Sequence, residues 1–588
     1  MSFKAPVRDL AFALEAAGFD RLSAAFPNAD PDTVDAVLNA AGDFAAEVLA
    51  PLNRTGDLTG VSYANGKVTA AAGFAEAYRR FAADGWTSLA ADSAHGGQGL
   101  PRALGQAVCE MVQAANLSFS LCPILSQGAA DAIEKNGSDE QKALYLPKLV
   151  SGEWTGTMNL TEPQAGSDLA GVATRAEPDG EGGYRLTGQK IFITWGDHDL
   201  ADNIVHLVLA RLPDAPAGSR GLSLFVAPKR LLDKDGALGP QNALRPGSIE
   251  HKLGLHGSPT CVMLFEGAKA ELVGAPNAGL AGMFVMMNAA RLQVGSQGVA
   301  IAERAYQQAL AYALERQQGR SAWTGDQPAR IFDHPDVRRA LMLTKARIEA
   351  GRGLCLATAV AADLARVGAD EAERQAAELR EALLTPIAKA WCTDMGVEAA
   401  SAGVQIHGGM GFIEATGAAQ YYRDARILPI YEGTNGIQAI DLVGRKLALA
   451  DGKAVSDLFG EIAATAAVLK ATTGLEGVGA RLQAALAAAR SAVDWITPRR
   501  DAPDGLAGAT LCLKLLGDVV AGWLLGKGAL LVEAKLAGGV APTDYLRTKV
   551  GLARLFAEQT LSGAPGLAQA IASGAAELAT ATPEGLGA

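Results

Sequence analysis

Apolar residues recur with a helical period up to about residue 155. Phe44, Val48 and Leu49 sit in an alanine-rich pattern, and Ser138-Asp139-Glu140-Gln141 reads as a capping box that opens another helix. Residues 92–101 are too rich in glycine to be anything but a loop. From about 156 to 275 the texture changes. Short runs at 184–194, 203–212, 221–228 and 261–265 mix apolar and polar residues as half-buried strands do, which predicts a compact antiparallel barrel or sandwich. Helical spacing returns after Gly279: Val299, Ala302, Tyr306, Ala309 and Ala313 share one face, and Val337, Leu341 and Ile348 begin the next helix beyond a polar loop at 319–335. Pro386, inside an otherwise helical run, predicts a kink or a boundary. Past Leu449 alanine- and leucine-rich segments are broken near 474–477, Pro498, 538–542 and Pro565, the pattern of an appended helical bundle.

A chain of 588 residues exceeds what one core supports, and its length suggests roughly three or four domains. A hydrophobic fraction of 49% with 20% charged residues is that of a soluble globular protein. The net charge of -11 argues against a general nucleic-acid or anionic-membrane binder, since both need a basic face. Cys109, Cys122, Cys261, Cys355, Cys392 and Cys512 are scattered, so neither a disulfide framework nor a metal site is indicated, and buried thiols in a reducing, cytoplasmic compartment are expected. Residues 1–22 carry Asp9, Glu15 and Asp20 and lack the apolar core of a signal peptide. The longest apolar tract, 511–532, is broken by Lys514, Asp518 and Lys527, so no transmembrane span is expected.

One stretch concentrates candidate chemistry. In Ile427-Leu428-Pro429-Ile430-Tyr431-Glu432-Gly433-Thr434-Asn435-Gly436, a single acid stands after an apolar run and before a new helix that Thr434 and Asn435 can cap. An apolar wall would desolvate Glu432 and make it a stronger base. An exposed acid at a helix start, where negative charge is favourable, would give the same local sequence. Two other stretches carry small residues on tight turns. Met158-Asn159-Leu160-Thr161-Glu162-Pro163-Gln164-Ala165-Gly166-Ser167-Asp168 could bring backbone N–H groups, Thr161 and Ser167 against a flat heteroaromatic ligand, and Gln405-Ile406-His407-Gly408-Gly409-Met410-Gly411-Phe412 would allow a phosphate near the backbone. The second is not a dinucleotide fingerprint, because a helical run precedes it and the glycine spacing differs.

In this order and spacing, the three stretches resemble the acyl-CoA dehydrogenase family of flavoproteins, over about residues 36–450. The resemblance implies an α+β fold. After an extension at 1–35 come a helical domain at 36–155, a middle antiparallel β-barrel at 156–278 and a four-helix bundle at 279–450, with the extra helical domain at 451–588. It implies FAD as cofactor, held between the middle and following helical domains and across a subunit interface of a homo-oligomer, dimer or tetramer. It makes Glu432 the base that takes the α-proton of an acyl-CoA while a hydride leaves the β-carbon for flavin N5, giving a trans-2-enoyl-CoA. Residues matching cofactor positions are Met158, Leu160, Thr161, Ser167, Phe192, Thr194, Arg316, Gln318, Gln405, Gly408, Gly409, Thr434 and Gly436. Those matching substrate positions are Ser167, Asn288, Arg291 and Gly433. Some members carry the base immediately before the arginine that matches Arg291; here that residue is Ala290.

The sequence departs from the family pattern at Asn159, Ala415, Gln318 and Gly436, and in the long 319–335 loop, which affects the expected FAD contacts there. The segments 193–199 and 251–261 and the extra bundle look like the longer bacterial branch, which includes 3-methylthiopropanoyl-CoA dehydrogenases as well as fatty acyl-CoA enzymes. The resemblance further implies an electron-transfer flavoprotein as electron acceptor. Other readings of the same fold are an acyl-CoA oxidase and a DNA-binding flavoprotein of alkylation-damage response. The near balance of acid and base after residue 450 counts against the second. His198, His256 and His407 are read as structural.

Overall fold

The computed structural model describes residues 3–233 and 236–588. The first helices are α1 (Val7–Ala17), α2 (Pro31–Phe44) and α3 (Ala50–Thr59), and a small hairpin of β1 (Ser62–Ala64) and β2 (Lys67–Thr69) follows. Then come α4 (Phe74–Ala83), α5 (Arg102–Ala115), α6 (Leu117–Asn136) and α7 (Asp139–Val150). The capping box at Ser138 forms as its residues predict: the hydroxyl accepts from the Gln141 N–H at 3.2 Å, and Gln141 Oε1 accepts from the Ser138 N–H at 3.1 Å. Aromatic rings fill the core of this layer, with Phe119 edge-on to Phe74 and Phe81.

The middle of the chain forms β3 (Trp154–Asn159), β4 (Arg175–Pro178), β5 (Tyr184–Thr194), β6 (Asn203–Arg211), β7 (Leu222–Pro228), β8 (Arg230–Leu232), β9 (Leu238–Gln241), β10 (Leu244–Ile249) and β11 (Thr260–Val273). The pairing path β11-β5-β4-β6-β7 returns to β11 and closes a barrel, with β10 and β3 beside it. The expectation of an antiparallel sheet needs amending at β6, because β3 runs parallel to it from Trp154↔Asn203 to Asn159↔Val208 and β4 meets it in parallel at Arg175↔Arg211. Chain direction explains it: β3 enters straight from α7 and reaches β6 only after the 158–174 loop and two intervening strands.

Three long helices follow: α8 (Gly279–Glu315), α9 (Pro335–Val367) and α10 (Glu371–His407). The last runs on through Pro386, so the proline marks no boundary between helices. Leu383, Leu384 and Ile387 around the proline are all buried, and that packing holds the helix together where its hydrogen-bond ladder is interrupted. α8 and α10 lie side by side and run in the same direction. Gly295 faces Ala388, Gly298 faces Cys392, and the Tyr312 and His407 rings stack at 4.6 Å. The two backbones touch. A Cβ on Gly298 would stand 2.2 Å from the Cys392 carbonyl oxygen, so only glycine permits this approach.

Short α11 (Ala418–Ala425) and α12 (Asn435–Asp441) lead into the added bundle, α13 (Lys453–Ala471), α14 (Glu476–Ile496), α15 (Pro503–Ala537), α16 (Asp544–Gln559), α17 (Ala564–Ala572) and α18 (Ala576–Thr580). The bundle shares one continuous apolar core with α8, α9 and α10. By length and composition α15 could cross a membrane, which the charges within it had argued against. Of its most apolar stretch 83% is buried inside the protein, so that apolarity serves packing. α15 docks on α10 where Trp391 donates its indole N–H to the buried Asp518 at 2.9 Å. A buried charge cluster ties the two ends of the chain to the centre. Asp9 of α1 pairs with Lys345 of α9 and Lys549 of α16, each at 2.8 Å, and the fully buried Arg352 pairs with Glu110 at 2.6 Å and Glu303 at 3.1 Å.

The α8–α10 contact yields a stability prediction. Gly298→Ala should destabilise the fold by about 2 kcal/mol or more. Gly551→Ala, in α16 where a Cβ meets nothing within 4 Å, should stabilise it by about 0.5–1 kcal/mol. Thermal and urea unfolding of the two variants checks the contrast.

Candidate active site

Glu432 lies on a sharp turn between α11 and α12, with Arg423 and Asp424 just before it. Arg423 donates to Asp57 of α3 at 2.9 and 2.7 Å, and Asp424 accepts from the Leu255 N–H at 2.6 Å, so α11 is pinned to the first helical layer and to the β-domain. Leu428, fully buried, and the partly buried Ile427 and Tyr431 set the turn into the apolar core. Glu432 and Gly433 both adopt left-handed backbone, φ 56° and 81°. Such a conformation costs a non-glycine residue about 1–2 kcal/mol, and it persists because the surroundings fix it. Gln438, fully buried, donates to the carbonyls of both residues at 3.3 Å, and the Asn435 N–H donates to Pro429 O at 2.9 Å, closing the loop. Thr434 caps α12 by accepting from the Ile437 N–H at 3.2 Å, as its position predicts. Asn435 is not a cap; its side chain turns onto α10 instead.

The Glu432 carboxylate keeps partial contact with solvent, yet the protein packed around it withholds enough water to push its pKa up to about 7. Arg291 of α8 and Lys389 of α10 oppose that shift without cancelling it. Arg291 is buried, 3.8 Å from Asp441 and 3.4 Å from the amide oxygen of the exposed Asn288, and its Nε has no partner among the described residues. The neighbouring Tyr431 hydroxyl donates to Gln297 of α8. Glu432 and Gly433 N–H groups find no acceptor among the described residues, so both remain available to a ligand oxygen.

Lys389 was missed by sequence reasoning. It is fully buried and donates to the Asn435 side-chain oxygen at 2.8 Å, and burial brings its pKa down to about 7. A signal existed: Lys389 is the lone charged residue between Leu383 and Thr393, an otherwise apolar stretch of helix.

The remaining expected residues fall into two groups. Met158 and Leu160 pack with Met283 and Met286 at the start of α8. Ile191 donates its N–H to Thr161 O at 2.9 Å, which sets the 158–161 segment beside the end of β5. That loop is shaped from within by Glu162, which accepts from Lys190 Nζ at 2.8 Å, Thr174 Oγ at 2.6 Å and the Ala173 N–H at 2.7 Å, so the acid of this motif is structural. Thr194 is partly buried, Ser167 is exposed, and Phe192, at φ 59° and two residues before Thr194 at the end of β5, is an exposed aromatic ring.

Arg316, Gln318, Gln405, Gly408 and Gly409 gather, exposed, at the opposite end of α8 and α10. Arg316 lies 30 residues beyond Met286, about 45 Å along the helix. One extended dinucleotide does not bridge that distance, so within one chain the two groups are parts of different sites. Each fits a portion of FAD. An exposed ring with a hydroxyl two residues on suits the flat heterocycle, and an arginine next to glycines whose Cβ positions face open space suits a pyrophosphate. The exposed Gly436 stands on the open side of α12. The three histidines are satisfied: His198 by Thr155 and the Leu200 N–H, His256 by Asp57 and Lys252 O, and His407 by Gly403 O.

Family models cover nearly the whole chain: acyl-CoA dehydrogenase N-terminal domain at 31–153, middle domain at 157–268, C-terminal domain at 277–448, and an acetyl-CoA dehydrogenase C-terminal-like region at 458–582. The sequence is 49% identical to 3-methylmercaptopropionyl-CoA dehydrogenase of Ruegeria pomeroyi, over 95% of this chain and 96% of that protein. It is 34% identical to a butyryl-CoA dehydrogenase of Syntrophomonas wolfei, over 86% and 85%. Its fold matches that of a Bacillus anthracis acyl-CoA dehydrogenase solved with FAD, with TM-score 0.71 at 20% identity over 95% of this chain and 90% of that one.

If the Glu432 carboxylate must be ionised to act, kcat/KM should fall as pH drops through about 7, because protonation removes the base. A pH–rate profile measured from pH 5.5 to 9 checks the position of that limb.

Proposed function

The chain belongs to the acyl-CoA dehydrogenase family, an FAD-dependent family that forms the α,β double bond of acyl-CoA thioesters, and from that premise we propose 3-methylmercaptopropionyl-CoA as substrate and Glu432 as base. The observation that carries the assignment of the base is the half-buried carboxylate on a left-handed turn between two buried cations. Arg291 and Lys389 keep enough of it ionised to accept a proton, while desolvation keeps it basic enough to do so. The thioester oxygen, negative as the α-proton leaves, would accept from the Glu432 and Gly433 N–H groups, which the turn already orients. Bound FAD supplies the acceptor for the hydride equivalent from the β-carbon.

The choice of substrate follows the 49% identity to the Ruegeria enzyme, maintained over 95% of this chain and including the added bundle. The separation of the two cofactor groups along α8 supports a homo-oligomer in which a second copy brings Arg316, Gln405, Gly408 and Gly409 to the FAD of the first. An electron-transfer flavoprotein is the acceptor we assign for the electrons, and the cytoplasm the compartment.

Two experiments test this reading. Anaerobic addition of 3-methylmercaptopropionyl-CoA should bleach the flavin of the purified protein, with butyryl-CoA slower. Faster bleaching by butyryl-CoA would move the substrate to the fatty acyl series. Glu432→Gln should retain FAD and acyl-CoA binding and lose at least about a hundredfold in turnover. Near-normal turnover of that variant would overturn the assignment of the base.

A further inference from the structure

Asn435 makes more contacts than a helix-start residue needs. Its backbone N–H closes the turn on Pro429 O at 2.9 Å. Its amide NH2 donates to Asp394 Oδ1 at 2.7 Å, Thr393 Oγ at 3.0 Å and Ala390 O at 3.2 Å. Its amide oxygen accepts from Lys389 Nζ at 2.8 Å. Every side-chain partner is on α10, across two of its turns. The segment that carries the strained Glu432 is thus fastened at its downstream end to one polar patch of α10, in which Lys389 and Thr393 are buried and Asp394 is exposed. Burial works against the charged form of this amine, and among the described residues no carboxylate lies within ion-pair distance of Lys389 to offset the cost. A lysine kept there has to answer to the groups around it.

Resting on the reading of Glu432 as base, we propose that Lys389 and Asn435 are positioning residues: Lys389, through Asn435, locks the 429–435 turn in the conformation that presents Glu432, and supplies a positive charge beside its carboxylate. The groups that face this centre are few. Among the described residues, Arg291 comes from α8, Lys389 and Asp394 from α10, Tyr431 from the turn itself, and Asp441, Arg445 and Lys446 from α12 onward; Lys514 and Asp518 of α15 lie behind Asp394 and Trp391. Arg291 is already engaged by Asp441, so Lys389 is the cation whose charge is least committed elsewhere. Glu432 and Lys389 each favour the charged form of the other. Removing Lys389 therefore raises the proton affinity of Glu432, and the acid limb of the reaction moves to higher pH.

The test uses the FAD-loaded full chain, with flavin reduction by 3-methylmercaptopropionyl-CoA followed anaerobically across pH, or by butyryl-CoA if that reduces the parent protein faster. Lys389→Met should slow reduction about tenfold or more at pH 7 and shift the acid limb upward by about half a unit or more, with substrate affinity within about threefold of the parent. Lys389→Arg should return the limb toward its original position. Asn435→Ala, which removes no charge, keeps the proposal testable if the Lys389 variant does not fold. It should slow reduction by a similar factor and speed hydrogen exchange of the amides at 430–436 in substrate-free protein, leaving those of α8 unchanged. An unshifted limb in Lys389→Met, or unchanged rate and exchange in Asn435→Ala, would overturn the proposal even with Glu432→Gln inactive. A fully active Glu432→Gln would overturn the underlying assignment instead.

Discussion

The backbone contact between α8 and α10 is the constraint from which the rest of the site follows. Gly295, Gly298 and Gly396 let two long helices run side by side closer than any side chain would allow. That spacing sets Arg291 on one helix and Lys389 on the other within electrostatic reach of a single carboxylate on a third element. Neither cation forms a tight ion pair with Glu432, and that matters. A direct pair would hold the carboxylate firmly ionised and make it a poor base, whereas burial alone would keep it protonated at neutral pH. This balance of burial against two nearby cations puts the Glu432 pKa at about 7, where the carboxylate is both populated and basic.

The added bundle is part of the frame that holds the surroundings of Glu432. α15 buries its apolar length against α9 and α10, and Trp391, which reaches Asp518, is two residues from Lys389 on the same helix. Whatever holds α15 in place also holds the α10 face that receives Asn435. The buried cluster of Asp9, Glu110, Glu303, Glu349, Lys345, Arg352 and Lys549 joins helices from both ends of the chain to α5, α8 and α9. Removing one member would strand the others in low dielectric, so these helices stay in register together.

Much of this was legible in the sequence because it depends on local chemistry. The capping box at Ser138, the cap at Thr434 and the turn at Glu432-Gly433 follow from residue types a few positions apart, and the family resemblance follows from three short blocks. What could not be read were consequences of packing. Pro386 signals a break that burial of its neighbours overrides. β3, beside the barrel, pairs parallel to β6 far along the chain, which no alternation pattern encodes. Lys389 stands out as a lone charge in an apolar stretch, but what it faces is set by Gly295 and Asn435, which only the fold places beside it. Asn435, assigned from its neighbourhood to capping, spends its side chain on α10 because Thr434 already occupies the cap.

Packing, more than any one hydrogen bond, brings the Glu432 carboxyl to a pKa near 7. Difference infrared spectra of the substrate-free protein against Glu432→Gln, recorded across pH, would report the carboxyl stretch of this one residue. Its protonated band should grow in with a midpoint near 7 as pH falls. A midpoint at the ordinary glutamate value of about 4.3 would contradict it, and the turn would then be only a place where an acid happens to stand.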